Sequence, residues 1–595
     1  MTAEAATDPK GFQAYQGVRV AGENPKLPPT SSPVAYSGSP LVLSHSYIGR
    51  DAAEPMIAVD DAGVVFMSAG AFDAAIPGLA RQELRRSKNN GQTWDSVQAP
   101  FFSGAGETTT LDPYVWADPA TGRTFAVTLL GAGSYLAWTD DGGETFDESA
   151  LSSPGVNDHQ SLTTHKPPAN LAPPVPTDAF PNLVYYCVNQ VSDVRCSRSA
   201  DGGKNFLPSG GPAYTQAGEG EEGQNPGSCS ALHGHLTGDN EGRIFLPAGH
   251  CGLPTVAISE DAGATWKRRI ISTKLRSATT HTAVAVDKAD NIYYTWFDRT
   301  HKLMYLSVST DHGDTWSEPN MITPPGVYEV NFPMITAGEA GRIAITFPGT
   351  TYKTKKNAEG VVDDDMASVR PWFSYVVMST NALDPNPTFL SNTAGPRNDP
   401  VHRGNCGPGR CGGMFDFLDI VVSPTDGSFW ASATDTCTAS NGCSDADGSS
   451  GNDAEGVAVH QVGGPKLIGP GAFGPPPVGT MTPGATVGGP APAVAPTPSA
   501  PSARKVTLKC KRSGKTAKCA VRLKGAPGGT TVALRLFKGQ TLLGGGSAKL
   551  SKGRGTIRIK GKKGLRIKKG AYKVLITVGR RGASPTRADK KLRIR

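Results

Sequence analysis

At 595 residues the chain exceeds what one hydrophobic core supports, so two or three domains are expected. With 72 Gly and 48 Pro beside 38% hydrophobic residues, turns punctuate many short strands rather than signal disorder, and no apolar run reaches the roughly 20 residues of a membrane helix. The formal charge of +8 is unevenly split: residues 504–595 carry 29 Lys and Arg against the single acid Asp589, leaving 31 of the 60 bases and 51 of the 52 acids on the rest, a polarity that predicts two domains with different electrostatic roles.

The chain opens on MTAEAATDPKGFQAYQG, without the basic and apolar regions of a secretory leader. Residues 1–34 therefore read as an N-terminal extension, with any leader expected upstream or trimmed. The ten cysteines fall into close pairs: Cys187 with Cys196, Cys229 with Cys251, Cys406 with Cys411, Cys437 with Cys443, and Cys510 with Cys519. None has the Cys-x-x-Cys or Cys/His spacing of a zinc site. Pairs this close on a turn-rich chain predict local disulfides, and hence a secreted or cell-surface location.

From residue 35 to 462 one unit recurs. Five segments share a pattern: SKNNGQTW from Ser87, TDDGGETF from Thr139, SADGGKNF from Ser199, SEDAGATW from Ser259 and STDHGDTW from Ser309, at spacings of 52, 60, 60 and 50 residues. Each fits a hairpin. The carboxylate of Asp141, Asp201, Asp261 or Asp311 (Asn89 in the first copy) accepts N–H groups across the turn, a glycine takes positive φ, and the closing Trp or Phe tucks between sheets. Apolar-alternating runs precede each copy, as in HTAVAVDKAD and NIYYTWFD, which predicts four strands per unit. First strands begin near Glu54, Asp112, His159, His233, His281, Asn331 and Phe415, and a degenerate sixth hairpin lies near Ser379. Seven units are expected, alternatively six with an appended hairpin, with the region around Ser37–Ser46 closing the ring. The runs 218–227 and 352–370 read as a solvated loop and a mobile insert.

Residues 463–503 are a Pro/Gly/Ala-rich linker. Beyond it, 504–595 alternate apolar residues with Lys or Arg in short strands, which predicts a small Ig-like β-sandwich clasped by Cys510 and Cys519. Only two aromatics, Phe537 and Tyr572, lie there, so no stacking platform for nucleic acid is expected. Its charge points instead to anionic cell-wall or surface polymers.

The repeated Ser-x-Asp-x-Gly-x-Thr-Trp hairpins are Asp-boxes, and over residues 50–460 the chain resembles the sialidase (neuraminidase) superfamily of BNR-repeat β-propellers. The resemblance implies an all-β, sialidase-like propeller. It also implies, if the chain is an enzyme, an exo-α-sialidase-like glycoside hydrolase with an arginine triad, an Asp acid/base and a Tyr nucleophile polarised by Glu. The family's Arg-Ile-Pro opening aligns on Ala53, Glu54 and Pro55, so the arginine is missing, and Arg50 lies three residues early. Arg123, Arg243 and Arg342 are expected to face solvent, and Tyr328 and Glu329, being adjacent on a strand, to point apart.

The polar residues that open the first strands are Glu54, Asp112, His159, His233, His281, Asn331 and Asp416, with Asp158 and His235 as alternatives for a register shifted by one or two. Their convergence on one channel mouth predicts a ligand site for a polar sugar or a divalent metal. The functional expectation is a secreted propeller acting on or binding extracellular glycans or glycoproteins, tethered by its basic domain. The alternative is a non-catalytic carbohydrate- or protein-binding propeller, an adhesin or scaffold.

Overall fold

The computed structural model describes residues 13–16, 32–33, 35–36, 41–50, 52–71, 80–97, 109–110, 112–130, 133–151, 157–190, 193–215, 229, 232–351, 371–393, 400–403, 417–436, 455–470, 505–513, 516–527, 530–538, 541–561, 567–568, 570–580 and 583–594. The chain divides into two compact units, Met1–Gly488 and Gly489–Arg595.

The first unit is propeller-like, a series of small antiparallel sheets each built from consecutive strands. Sheet one contains Ala53–Val59, Val65–Ala71, Ala80–Ser87 and Asp95–Val97; sheet two contains Pro113–Ala117, Thr124–Leu130, Gly133–Thr139 and Asp147–Leu151. The later sheets start with Asn157–His165, Thr237–Gly238, Ser277–Val286, the pair Glu329–Val330 and Met334–Ala337, and Ile420–Val422. That makes seven sheets among the described residues of this unit. Each first strand touches the next, and Ile420–Val422 touches Ala53–Val59, so the contacts run in a cycle.

Middle strands are flanked by neighbouring sheets on both faces, so they are continuously apolar rather than alternating. In Ile292–Asp298 every residue is buried, and Trp296 stacks on Tyr305 with ring centroids 5.8 Å apart. The seventh sheet takes its two outer strands from the other end of the chain: Val42–Arg50 lies antiparallel to Glu455–Gly463, with His45 opposite Val459, and Gln13–Gln16 pairs on its far side. The N-terminal region adds further edge strands, Ser32–Pro33 beside Asn320–Met321 and Ala35–Tyr36 beside Thr388–Phe389. Residues 464–470 also pack on this unit. Leu467 is fully buried, and its N–H donates to the Gly427 carbonyl at 2.9 Å.

The repeated turns join third to fourth strands. In the fourth copy the Ser259 hydroxyl bonds Asp261 Oδ1 at 2.8 Å and accepts the Gly263 N–H at 2.7 Å, while the Thr265 hydroxyl donates to Asp261 Oδ2 at 2.6 Å. The copies at Asp141, Asp201 and Asp311 repeat this geometry, and Asn89 keeps its acceptor role by taking the Thr93 N–H at 2.9 Å. Donation from the Thr145 and Thr315 hydroxyls holds Asp141 and Asp311 below the usual carboxylate range. At Asp261 partial burial, the largest single influence, pushes the other way and is outweighed by the hydrogen bonds from Thr265, Ser259 and the backbone together.

These turns are also intersheet clasps, which corrects the solvent-facing reading of three arginines. Arg123 lies over the rings of Trp138 and Phe180 at 5.5 and 5.2 Å, forks onto Asp140 at 2.7 and 2.6 Å, and donates to the Gly202 carbonyl of the next sheet's turn at 2.7 Å. Arg243 pairs with Asp239 at 2.9 Å and reaches His312 at 3.1 Å, and Arg342 donates to the Lys466 and Gly469 carbonyls, both at 2.9 Å. A guanidinium has enough donors to satisfy its own acid and a neighbouring carbonyl at once.

In the second unit seven strands follow one hydrogen-bonded path around a single core: Thr507–Ser513, Thr516–Arg522, Arg554–Gly561, Thr541–Lys549, Thr531–Lys538, Gly570–Arg580 and Ala583–Ile594. Cys510 and Cys519 face each other on the first hairpin and are bonded. The pairs Cys187–Cys196 and Cys229–Cys251 are also closed. Cys406, Cys411, Cys437 and Cys443 lie outside the described residues.

Candidate functional site

Antiparallel order puts the openings of all first strands, and the loops between second and third strands, at one end of the first unit; the repeated turns sit at the other. Several first strands are irregular at that opening. Pairing shifts between Ala53 and Met56, between Asp158 and Gln160, and between Ser277 and Thr282. Glu54, His159 and Phe332 hold φ of 51°, 55° and 44°, a left-handed backbone that non-glycine residues rarely adopt. Bulges of this kind re-aim side chains and concentrate at binding sites.

His159 and His233 are brought together, with ring centroids 4.8 Å apart, and His159 stacks on Phe417 at 4.0 Å. His235 completes the group, 6.1 Å from His159 and edge-on to Tyr114 at 5.0 Å. Its Nδ1 lies 3.4 Å from Asp419 Oδ1, while its buried Nε2 has no hydrogen-bond partner among the described residues. Asp112 supports the group from the neighbouring strand by accepting the His159 N–H at 2.9 Å. His233 donates its N–H to Asn189 Oδ1 at 3.0 Å, and its Nδ1 meets the Gly234 carbonyl at 2.7 Å, which fixes the proton on Nδ1. Burial pushes the His233 imidazole down to about 4, and burial together with the Asp419 charge pushes the Tyr114 phenol well up. At neutral pH both rings are uncharged hydrogen-bonding groups, and Tyr114 is no phenolate.

Beside these rings lies a cavity of about 250 Å³, lined by the inner strands through Tyr114, Trp116, His235, Val284, Ile335 and Asp419 among others. Its walls are mostly apolar, with His235, Asp419, Thr237 and Thr336 among the polar exceptions. On the same end, Lys302 Nζ bonds Glu329 at 2.8 Å, so that carboxylate is engaged by a cation. The exposed residues Arg276 and Arg299 are joined there by a backbone bond of 2.9 Å.

Of the other expected residues, Glu54 and Asn331 are buried at the openings of their own strands and take no part in the ring contacts. Asn331 accepts the Phe332 N–H at 3.1 Å. Asp158 is exposed. The backbone of His281 lies in Ser277–Val286, but its side chain, like all of Asp416, is outside the described residues. Sequence reasoning missed Tyr114, Phe417 and Asp419. The signal for Tyr114 was present, since Asp112, Tyr114 and Trp116 share one strand face. Asp419 was hidden because the last first strand starts at Ile420, later than the Asp416 register.

One group of metal-ligating residue types is gathered among the described residues. Sulfurs of Cys229 and Cys251 and a ring nitrogen of His250 lie within 4.8 Å of one another. His250 and Cys251 sit between second and third strands, on the mouth end. As thiolates the two sulfurs would suit a soft divalent ion. Here they are joined to each other, and in that state His250 is the group's one strong donor.

No family model matches the chain, and no curated protein does. Among solved structures, a Dyadobacter fermentans protein of unknown function is 13% identical, covering 72% of this chain and 97% of that one at a TM-score of 0.36. The endosialidase of phage phi92 is 11% identical over 84% of this chain and 91% of its own, TM-score 0.37. The intramolecular trans-sialidase of Ruminococcus gnavus is 15% identical over 70% and 96%, TM-score 0.33. These are distant likenesses, and scores at this level decide nothing about activity. Among the described residues no helix is long and apolar enough to cross a membrane.

Proposed function

We propose that this chain is an extracellular carbohydrate-binding protein. In this reading residues 35–462, with the packed segment 464–470, form a closed seven-bladed, sialidase-like propeller, joined by the rest of the Pro/Gly/Ala-rich linker to a basic Ig-like β-domain, 504–595, that tethers it to anionic surface polymers. The cycle of first-strand contacts supports closure. The observation that carries the binding reading is the group of Tyr114, His159, His233, His235 and Phe417 at the mouth, with a buried His235 Nε2 that lacks a partner among the described residues. A buried ring nitrogen left unsatisfied costs roughly 1–3 kcal/mol, and a ligand hydroxyl would offset that cost. A neutral His233 imidazole and buried ring nitrogens beside aromatic rings suit the hydroxyls and faces of a sugar.

Binding is favoured over hydrolysis. Asp112 and Asp419 each spend a carboxylate oxygen on a backbone N–H, from His159 at 2.9 Å and Ile420 at 2.8 Å, and so serve as positioning groups. Ala53 also stands where the superfamily's first arginine belongs. The test is a glycan array probed with the purified full chain and with His235→Phe, alongside a fluorogenic sialoside assay at pH 5–7. Retention of one glycan class, lost in His235→Phe, with no sialoside turnover is the expected result. Retention unaffected by His235→Phe moves the site elsewhere, and robust turnover overturns the non-catalytic reading.

A further inference from the structure

The three strands Thr507–Ser513, Thr516–Arg522 and Arg554–Gly561 alternate over most of their length, with the exposed Arg512 as an exception near a strand end, so one face is core and the other carries charge. Cys510, Ala517, Cys519, Val521, Ile557 and Ile559 are buried, whereas Lys509, Lys511, Lys518, Arg522, Arg554 and Arg558 are exposed. The register puts like charges side by side. Lys511 lies opposite Lys518, which lies opposite Arg558, and Arg522 lies opposite Arg554. Like charges directly across a sheet are destabilising. None of these six bases has an ion-pair partner among the described residues, and the domain's one acid, Asp589, belongs to a strand of the other half of the sheet. Such a face is electrostatically incomplete.

Between the two basic rows runs a row of smaller side chains, Ala520 opposite Thr556, with Lys509 at its open edge. The flanking rows are four residues apart along each strand, about 13 Å. The result is a shallow trough that crosses the strands, one polymer chain wide, with cations along both banks. We propose that this trough binds a linear acidic polysaccharide, laid across the strands so that its carboxylates or sulfates meet the Lys511–Lys518–Arg558 row on one side and the Arg522–Arg554 row on the other. The proposal rests on the reading that residues 504–595 hold anionic polymers, and it says where and in what form. Charge complementarity selects a polyanion. A trough with banks fits a single chain better than a plane of lipid headgroups. The absence of a ring on this face disfavours single-stranded nucleic acid, since Phe537 and Tyr572 lie on other strands.

The test compares the full-length protein with Lys511→Gln/Lys518→Gln/Arg558→Gln, with Ala520→Glu, and with a control of equal charge loss on the other strands, Lys549→Gln/Lys591→Gln/Arg593→Gln. Polygalacturonate and heparin surfaces are the glycan probes, read across a salt gradient, with poly(dT) and phosphatidylserine vesicles as competitors. All substitutions are at exposed positions, and circular dichroism confirms folding. Both trough variants are expected to weaken glycan binding roughly tenfold, while the control changes it less than about twofold. The carboxylated and sulfated surfaces tell which anion is preferred. Equal losses in trough and control variants overturn the trough while leaving polymer binding intact. Tighter binding of poly(dT) or vesicles than of either glycan overturns the choice of partner. If the unaltered protein fails to bind any polyanion at low salt, the tethering reading falls, and the trough with it.

Discussion

His233 offers a quantitative test of the buried histidine group. The residue is 1% exposed, and burial lowers its imidazole from 6.5 to about 4; His402, 2% exposed, shows the same depression for the same reason. A depressed folded-state value means that the unfolded chain binds the proton first. Stability is therefore complete above pH 6.5 and is lost as pH falls toward 4. Each such histidine contributes a slope of up to about 1.4 kcal/mol per pH unit in that window, or roughly 3 kcal/mol across it, against a total stability on the order of 5–15 kcal/mol. The carboxylates of the repeated turns, also depressed, act below this window, between the ordinary carboxylate range and stronger acid, so the two effects separate. His233→Gln keeps a polar side chain that cannot titrate. It is expected to cost about 1–2 kcal/mol at pH 7.5, through loss of the 2.7 Å bond to Gly234, yet to flatten the acid limb. The two stability curves should then converge, and cross near pH 5. All 8 tryptophans lie between residues 94 and 430, so denaturant unfolding followed by tryptophan fluorescence at pH 7.5, 6.5, 5.5 and 4.5 reports the first unit alone. Parallel curves for the two proteins would refute the assignment of a neutral, buried His233.

Gly313 holds φ +90°, and a Cβ there would meet Ile258 Cδ1 at 2.6 Å, so Gly313→Ala should destabilise the first unit by about 2–4 kcal/mol in the same unfolding assay. Arg123→Ala should cost about 2 kcal/mol, because it removes both the fork onto Asp140 and the donation to Gly202; a value within about 0.5 kcal/mol would return this residue to the solvent-facing class. Non-reducing peptide mapping should recover Cys187–Cys196, Cys229–Cys251 and Cys510–Cys519, and the same map will show whether Cys406–Cys411 and Cys437–Cys443 are paired within themselves as their spacing predicts. Free thiols at Cys229 and Cys251 would instead turn attention to metal binding with His250.

What could be read from the chain alone was whatever closes within a few residues. The turn at Ser259–Trp266 is built from contacts two and four residues apart, so its pattern survives in one dimension, as do the cysteine pairs that face each other across a hairpin. Most strand openings were legible for the same reason, since an apolar run and its turn are local, but the fourth and the last first strands begin later than read, at Thr237 and Ile420. The seventh sheet is the instructive exception. It carries no such turn because an outer strand, Val42–Arg50, arrives from the far end of the chain to lie against Glu455–Gly463. Arg123, Arg243 and Arg342 could not be placed from sequence, because their partners Gly202, His312 and Lys466 are 79, 69 and 124 residues away. The mouth was half legible. His159 and His233 followed from strand openings, but the meeting of His159 with Phe417, and that of His235 with Asp419, depends on bulges that rotate side chains and on packing between strands 258 and 184 residues apart in sequence. Local chemistry determines a turn or a pair; only the packing of sheet against sheet determines which side chains share the space at the centre.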